Sequence, residues 1–385
     1  MFAFAVLFSY NGCVNEDLGK GASGMEETNA FSETVIQQLQ QALLAWYRAH
    51  HRDLPWRREV SAYRTWVSEI MLQQTRVEAV IPYFERFLHV LPTLADLAVA
   101  DDALLHKLWE GLGYYSRVRN MKKCAEVCVE RYGGRLPSSY EELCRLPGIG
   151  PYTAGAIASI AGQERVAAVD GNVLRVFSRI LANREDIAKE VTKKHYRQYV
   201  SAFLPEAVDA GDFNQAIMEL GAMVCSPNGA PSCAQCPVAA WCRAHTQGTE
   251  QEFPVRSAKK ARRIEEHTVL VLVDQGRIAL QQRPAKGLLA GLHGFAMSDE
   301  RWERQQVEAR YPHARNIVEL HPHTHVFSHV EWHMNAFLVE ERDPLASYHS
   351  LEEIEENMAI PTAFRPFYEA ARTWIRMKGA TDDTR

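Results

Sequence analysis

The sequence predicts an all-α domain built around a helix-hairpin-helix and carrying a four-cysteine loop, followed by a smaller α+β domain. Apolar residues recur at helical spacing almost throughout residues 31–244. The run Leu146-Pro-Gly-Ile-Gly-Pro-Tyr-Thr-Ala-Gly155 stops one helix at Leu146 and starts the next with Pro151 in its first turn. Beyond residue 266 the spacing turns to alternation, and a chain of 385 residues is long enough for two or three domains with their own cores.

The opening Met1-Phe-Ala-Phe-Ala-Val-Leu-Phe8 is apolar, lacks a positive flank and is too short to span a bilayer, so no export is implied. The missing basic residues also weigh against a lipoprotein-type signal ending at Cys13. With Met25 just ahead of the first amphipathic segment, residues 1–30 are expected to be a disordered extension or, over 1–24, the product of a misassigned start. Ile36, Leu39, Leu43 and Tyr47 share one helical face, Val77, Val80, Ile81, Phe84 and Leu88 a second, and Phe213, Ile217 and Leu220 a third. Breakers are expected at Pro82, Pro92, Gly111, Gly113, Gly133-Gly134 and Pro137. The boundaries predicted are a helical domain over 31–250, a basic linker over 251–266, the α+β domain over 267–376 and a flexible tail over 377–385. Within the α+β domain, 267–273 and 277–282 form a hairpin, 327–339 a strand and 362–375 a closing helix.

The hairpin has a chemistry of its own. Gly148 and Gly150 let the backbone approach a ligand, and the helix that follows aims free N–H groups at it, an arrangement that suits a phosphate of DNA. Asp170, in Val169-Asp-Gly-Asn172, precedes another helix, where it either caps that helix or holds negative charge beside a substrate. Glu69 is a lone acid among Val67, Ile70 and Met71. Desolvation there raises its pKa and suits it to general-acid work, with an ordinary helix-edge glutamate as the alternative.

The net charge of −5 and pI of about 6.3 exclude a generally basic nucleic-acid-coating protein, although cations cluster at Arg117, Arg119, Lys122 and Lys123 and again at Arg256, Lys259, Lys260, Arg262 and Arg263. Four of the eight cysteines fall in Cys225-x7-Cys233-x2-Cys236-x5-Cys242. So tight a group of thiolates points to one metal centre in a reducing compartment, a 4Fe–4S cluster or a tetrahedral zinc. Cys124 and Cys128, one helical turn apart, are expected in the core.

Ser68-Glu-Ile-Met-Leu-Gln-Gln-Thr75, Gly111-Leu-Gly-Tyr-Tyr-Ser-Arg117, Leu146-Pro-Gly-Ile-Gly-Pro-Tyr-Thr153, Val169-Asp-Gly-Asn172 and the cysteine loop together resemble the MutY family of adenine DNA glycosylases, in the endonuclease III superfamily. The resemblance covers residues 31–242 and reaches into the C-terminal domain. It implies removal of adenine mispaired with 8-oxoguanine or guanine in double-stranded DNA, the adenosine being flipped out of the stack. It implies that Glu69 protonates adenine N7, that Asp170 stays ionised beside the oxocarbenium-like sugar, and that Glu69 has the higher pKa. Tyr152 stands where bifunctional members carry a lysine nucleophile, so a monofunctional enzyme without strong lyase activity is expected.

The resemblance further implies that Gln74 and Tyr114 invade the duplex, that Trp56 and Arg57 line the adenine pocket, and that Gly148 and Gly150 hold the phosphate backbone. Arg117, Arg119, Lys122 and Lys123 would add salt-sensitive contacts, a solvated helix face being the alternative. It implies a 4Fe–4S cluster on Cys225, Cys233, Cys236 and Cys242, although the first gap is seven residues here against the usual six and carries none of the usual basic residues. Gly287-Leu-Leu-Ala-Gly-Leu-His-Gly294 and Val326-Phe-Ser-His329 resemble a MutT-like (Nudix-fold) domain, with Phe327, Ser328 and His329 expected to touch the oxidised guanine. The acidic metal box of Nudix hydrolases is missing from Glu300-Arg-Trp-Glu-Arg-Gln-Gln306, so this domain is expected to bind rather than hydrolyse. His321-Pro-His-Thr-His325 is expected as a loop of exposed histidines. A cytoplasmic, nucleoid-associated monomer with no membrane contact completes the expectation. The competing readings are a glycosylase-lyase of the endonuclease III type, a non-catalytic iron–sulfur DNA-binding protein and a nucleotide pyrophosphohydrolase.

Overall fold

The computed structural model describes residues 31–258 and 261–382, and the expectations for residues 1–30 and for Lys259 and Lys260 lie outside them. The described residues divide into two compact units, 31–99 with 120–258, and 100–119 with 261–382. No described helix is long and apolar enough to cross a membrane.

The first unit is helical. Helix Ala62–Leu72 begins at Ser61, whose hydroxyl accepts from the Arg64 N–H at 3.2 Å, and every residue from Thr65 to Met71 is buried. Glu69 is therefore an interior acid rather than one on a helix edge. Helix Gly171–Leu181 is buried from Val173 to Leu181 and packs with Phe203, Phe213, Ile217 and Leu220 in a core that also takes Leu39, Leu43 and Tyr47. Pro82, expected as a breaker, lies inside helix Val77–Val90, where burying Val80, Phe84 and Phe87 outweighs one lost backbone hydrogen bond. Cys124 and Cys128 are both fully buried.

Helix Pro151–Ile160 is held unusually close to its neighbours. A Cβ added at Gly155 would stand 2.5 Å from the Ala167 carbonyl oxygen, and one at Gly211 would stand 2.6 Å from that of Ser159. Only glycine allows these approaches. They tie the helix that carries Tyr152 to the segment that leads into Asp170 and to helix Ala207–Met223. The fully buried Asn214 completes the joint, donating to the Ser159 hydroxyl at 3.0 Å and the Val166 carbonyl at 2.9 Å while accepting from the Ala168 N–H at 3.1 Å.

The second unit is a mixed sheet with helices. Strand Arg263–Asp274 runs parallel to Val330–Val339, which pairs antiparallel with Ile317–Val326. On the other side Arg277–Ala279 continues the first strand as a hairpin and pairs with Tyr348–His349. The first strand starts at Arg263, four residues ahead of the expected hairpin, because Arg263–Glu266 pair with Val330–His333. The hairpin's second arm ends at Ala279, and Gln281–Gln282 pair instead with His293–Gly294. The histidine run is not a loop: it lies in strand Ile317–Val326, with a bulge between Leu320 and His323. The closing helix Arg365–Asp382 takes in most of the segment expected as a tail. Phe253 is buried beneath the helical unit and the Val255 carbonyl accepts from the Ile187 N–H, so this stretch of the expected linker is fastened to that unit.

Candidate active site

One cleft of about 810 Å³ in the helical unit collects Trp56, Arg57, Glu69, Gln74, Tyr152 and Asp170, which the sequence scatters over more than a hundred positions. Glu69 is 8% exposed and accepts a short hydrogen bond from the Tyr152 hydroxyl. Burial pushes its carboxyl up to about 7, Asp170 adds to the rise, and the Tyr152 hydroxyl and Arg57 work against it. Burial also pushes the Tyr152 phenol well above its ordinary value, so it stays a neutral donor.

Asp170 is the N-cap of helix Gly171–Leu181, accepting from the Val173 N–H at 2.8 Å and from the Asn172 amide at 2.8 Å. The cap and the cleft-facing acid are one and the same residue, so the two roles proposed for it do not compete. Burial raises its carboxyl too, opposed by the hydrogen bonds from Val173 and Asn172 and by Arg175.

Sequence reasoning missed Glu219. Its side chain is 1% exposed, and it binds Arg52 (Nε to Oε1 2.8 Å, Nη2 to Oε2 2.9 Å) and Arg57 (Nη2 to Oε2 2.9 Å). Burial works to raise Glu219, yet the two guanidiniums more than reverse that and hold it at about 2. Arg57 also donates to the Arg52 carbonyl at 3.0 Å and to Gln215 at 3.3 Å, and lies 5.5 Å from the Tyr47 ring centre. The signal available in the sequence was an acid on the apolar stripe Ile217-Met-Glu-Leu220, a position that demands a partner. Trp56 is buried edge-on against Phe84 with ring centres 5.4 Å apart.

The two glycines of the hairpin differ. Gly148 has φ +74° and a Cβ there would come within 2.7 Å of the Asn120 Cβ, so glycine is required. Gly150 is extended (φ −92°, ψ 176°) with open space around its Cα, so it supplies room rather than a special conformation. Gln74 (φ 61°) and Tyr114 (φ 49°) are both exposed and both left-handed, a strained state for residues with a side chain.

Tyr114 belongs to the second unit, where its hydroxyl lies 3.2 Å from that of Ser328. Arg117 and Arg119 do not form a solvated cationic face: Arg117 donates to the carbonyls of Leu112 and Gly113 and Arg119 to that of Ala290. Burial lowers Arg117 to about 10. Phe327 stands between His325 and Trp332, with ring centres 4.5 and 4.8 Å away, while Ser328 and His329 are exposed in the turn that follows.

Cys225, Cys233, Cys236 and Cys242 line one cavity with Arg179, His245 and Glu250. Arg179 donates to the Cys225 sulfur at 3.1 Å. The atoms of metal-ligand type that lie within 4.8 Å of one another are those of Cys233, His245 and Glu250, which include a single cysteine.

Residues 67–202 match the HhH-GPD superfamily base excision DNA repair protein family, and residues 268–370 match the NUDIX domain. The adenine DNA glycosylase of Mus musculus is 37% identical over 75% of this chain and 68% of its own length. That of Buchnera aphidicola subsp. Schizaphis graminum is 32% identical over 79% of this chain and 88% of its own. The chain belongs to the adenine DNA glycosylase family. Against the larger relatives of Rattus norvegicus (40% identical over 66% of this chain) and Homo sapiens (38% over 75%), it spans 59% and 64% of their length. Among solved structures, a thermostable thymine-DNA glycosylase aligns over 58% of this chain and 99% of its own at 24% identity, with a TM-score of 0.49. For this family member the base excision match lies in the helical unit except for residues 100–119, which belong to the second unit, and the Nudix match lies in the second unit.

Proposed function

We propose that this chain is a monofunctional DNA glycosylase that hydrolyses the N-glycosidic bond of adenine mispaired with 8-oxoguanine or guanine in double-stranded DNA. One observation carries the reading: an interior acid held near neutral pKa by burial, Glu69, shares a cleft with a second acid, Asp170, and with a phenol, Tyr152. Protonated Glu69 delivers its proton to N7 of the extruded adenine, which turns the base into a neutral leaving group. Asp170, whose carboxyl is raised by burial but held by hydrogen bonds from Val173 and Asn172 that work towards its charged form, offers negative charge to the developing oxocarbenium. Tyr152 has no amine with which to form a Schiff base, so the abasic product is released without strand cleavage.

Gln74 and Tyr114, both exposed, enter the duplex, while Gly148 and Gly150 take the phosphate backbone. Trp56 walls the base pocket together with Arg57, whose guanidinium is already bound to Glu219. In the Nudix unit Ser328 and His329 face the oxidised guanine and Phe327 supports them from the aromatic row.

The four cysteines fit a 4Fe–4S cluster better than a zinc ion. They share one cavity, yet only one of their sulfurs joins the tight ligand group, whereas sulfurs at roughly 2.3 Å from one zinc would crowd together. Cys225, Cys233, Cys236 and Cys242 would hold the cluster, which would supply structural cross-linking of the loop.

The test is a single-turnover assay on a duplex with adenine opposite 8-oxoguanine, read before and after hot alkali, with Glu69→Gln alongside. Alkali-dependent cleavage of the adenine strand, lost in the variant, is the expected result. Cleavage without alkali would establish a lyase, and no adenine release by cluster-loaded protein would leave a DNA-binding protein.

A further inference from the structure

Glu219 sits on helix Ala207–Met223 next to Met218, whose sulfur lies 3.7 Å from the Tyr152 hydroxyl. Its two oxygens and single negative charge serve two guanidiniums. Arg52 is 32% exposed, so solvent compensates part of its charge, but Arg57 is only 13% exposed and depends on Glu219. The groups that act on Glu69 come from three neighbouring elements: Arg57 from helix Pro55–Arg58, Tyr152 from helix Pro151–Ile160, and Asp170 ahead of helix Gly171–Leu181. Arg57 is the only cation among them, and it is bound to Glu219.

We propose that Glu219 is a positioning residue for the acid at Glu69: it locks Arg57 and Arg52 in a compensated cluster, so that Arg57 does not act as an unpaired cation on the proton-donating carboxyl. This rests on the glycosylase reading for its consequence in catalysis, not for the charge arrangement itself. Four of the five Arg57 N–H donors are engaged by Glu219, Gln215 and the Arg52 carbonyl, so the guanidinium is held by that cluster and not by Glu69. Were Glu219 neutral, Arg57 would become an uncompensated cation lining the same cleft as a buried carboxyl and would favour its ionised form.

The experiment follows Glu69 directly, by ¹³C NMR titration of DNA-free protein labelled at the glutamate carboxyl carbons, with Glu69→Gln assigning the signal. In Glu219→Gln the Glu69 midpoint is expected to fall by about one unit or more. Glu219→Asp keeps the charge and is expected to hold most of the wild-type value. The double variant Glu219→Gln with Arg57→Gln removes the more buried guanidinium together with its partner and leaves only the partly exposed Arg52 uncompensated, so it carries the test if the single variant does not fold. Its midpoint is expected at or above the wild-type value. An unchanged midpoint in folded Glu219→Gln, or a lowered one in the double variant, overturns the proposal. Adenine release measured beside it separates the two ideas: wild type that releases no adenine at any pH defeats the glycosylase reading and leaves the titration result standing.

Discussion

The cleft has two buried carboxylates with opposite fates. Glu69 is 8% exposed and is pushed up to about 7, whereas the Glu219 side chain is 1% exposed and is held at about 2. Burial opposes charge at both, so burial alone does not decide the outcome. Glu219 meets two guanidiniums in bidentate geometry, and Glu69 meets a neutral phenol and a second acid. The lesson is that one apolar interior supports an acid and a permanent anion side by side, provided that the cations are fastened to only one of them.

The contrast is sharpest in catalysis. Glu69→Gln is expected to lower single-turnover adenine release by about 10²–10⁴-fold. The wild-type rate is expected to rise as pH falls through about 7, because the donor must be protonated, and a rate that rises with pH instead would remove Glu69 from that role.

Stability offers the next largest effect. Glu219→Ala leaves Arg57 buried without its partner and is expected to cost about 3–5 kcal/mol in urea unfolding. Glu69→Gln is expected to do the reverse at pH 8. The folded carboxyl at about 7 lies above its ordinary 4.5, so the unfolded chain binds fewer protons between those values and wild-type stability declines as pH rises through them. At pH 8 the variant is expected to be more stable by roughly 2–3 kcal/mol, with the difference gone at pH 4. Destabilisation by both substitutions at pH 8 would break the comparison.

Two smaller changes refine it. Asn214→Ala removes three hydrogen bonds behind Asp170 and is expected to cost about 1–3 kcal/mol, seen as a lower urea midpoint with an unchanged slope. Tyr152→Phe removes the donor that lowers Glu69, so the ionisation in the pH–rate profile is expected to move to higher pH.

Much of the fold was legible because it is written in local patterns. The helical faces around Leu39, Leu43 and Tyr47 and around Phe213, Ile217 and Leu220 are periodicities, and the hairpin at Leu146–Ser159 is punctuated by proline and glycine. Pro82 and the strand Ile317–Val326 were misread because packing and cross-strand pairing overrode local preference. The solvated helix face offered as the alternative for Arg117 and Arg119 fails for a related reason: a guanidinium that serves a backbone carbonyl leaves no trace in composition.

The sequence by itself determined the two domain types, the four-cysteine loop, the acid in an apolar helix and the aspartate ahead of another, since each is a property of neighbouring residues. Only the tertiary structure decided that Glu69, Tyr152 and Asp170 share one cleft, that Asp170 caps a helix while facing it, and that Glu219 draws Arg52 and Arg57 into one cluster. Those are relations between residues up to 167 positions apart, set by glycine-close packing and by the need of a buried charge for a partner, and no local pattern encodes them.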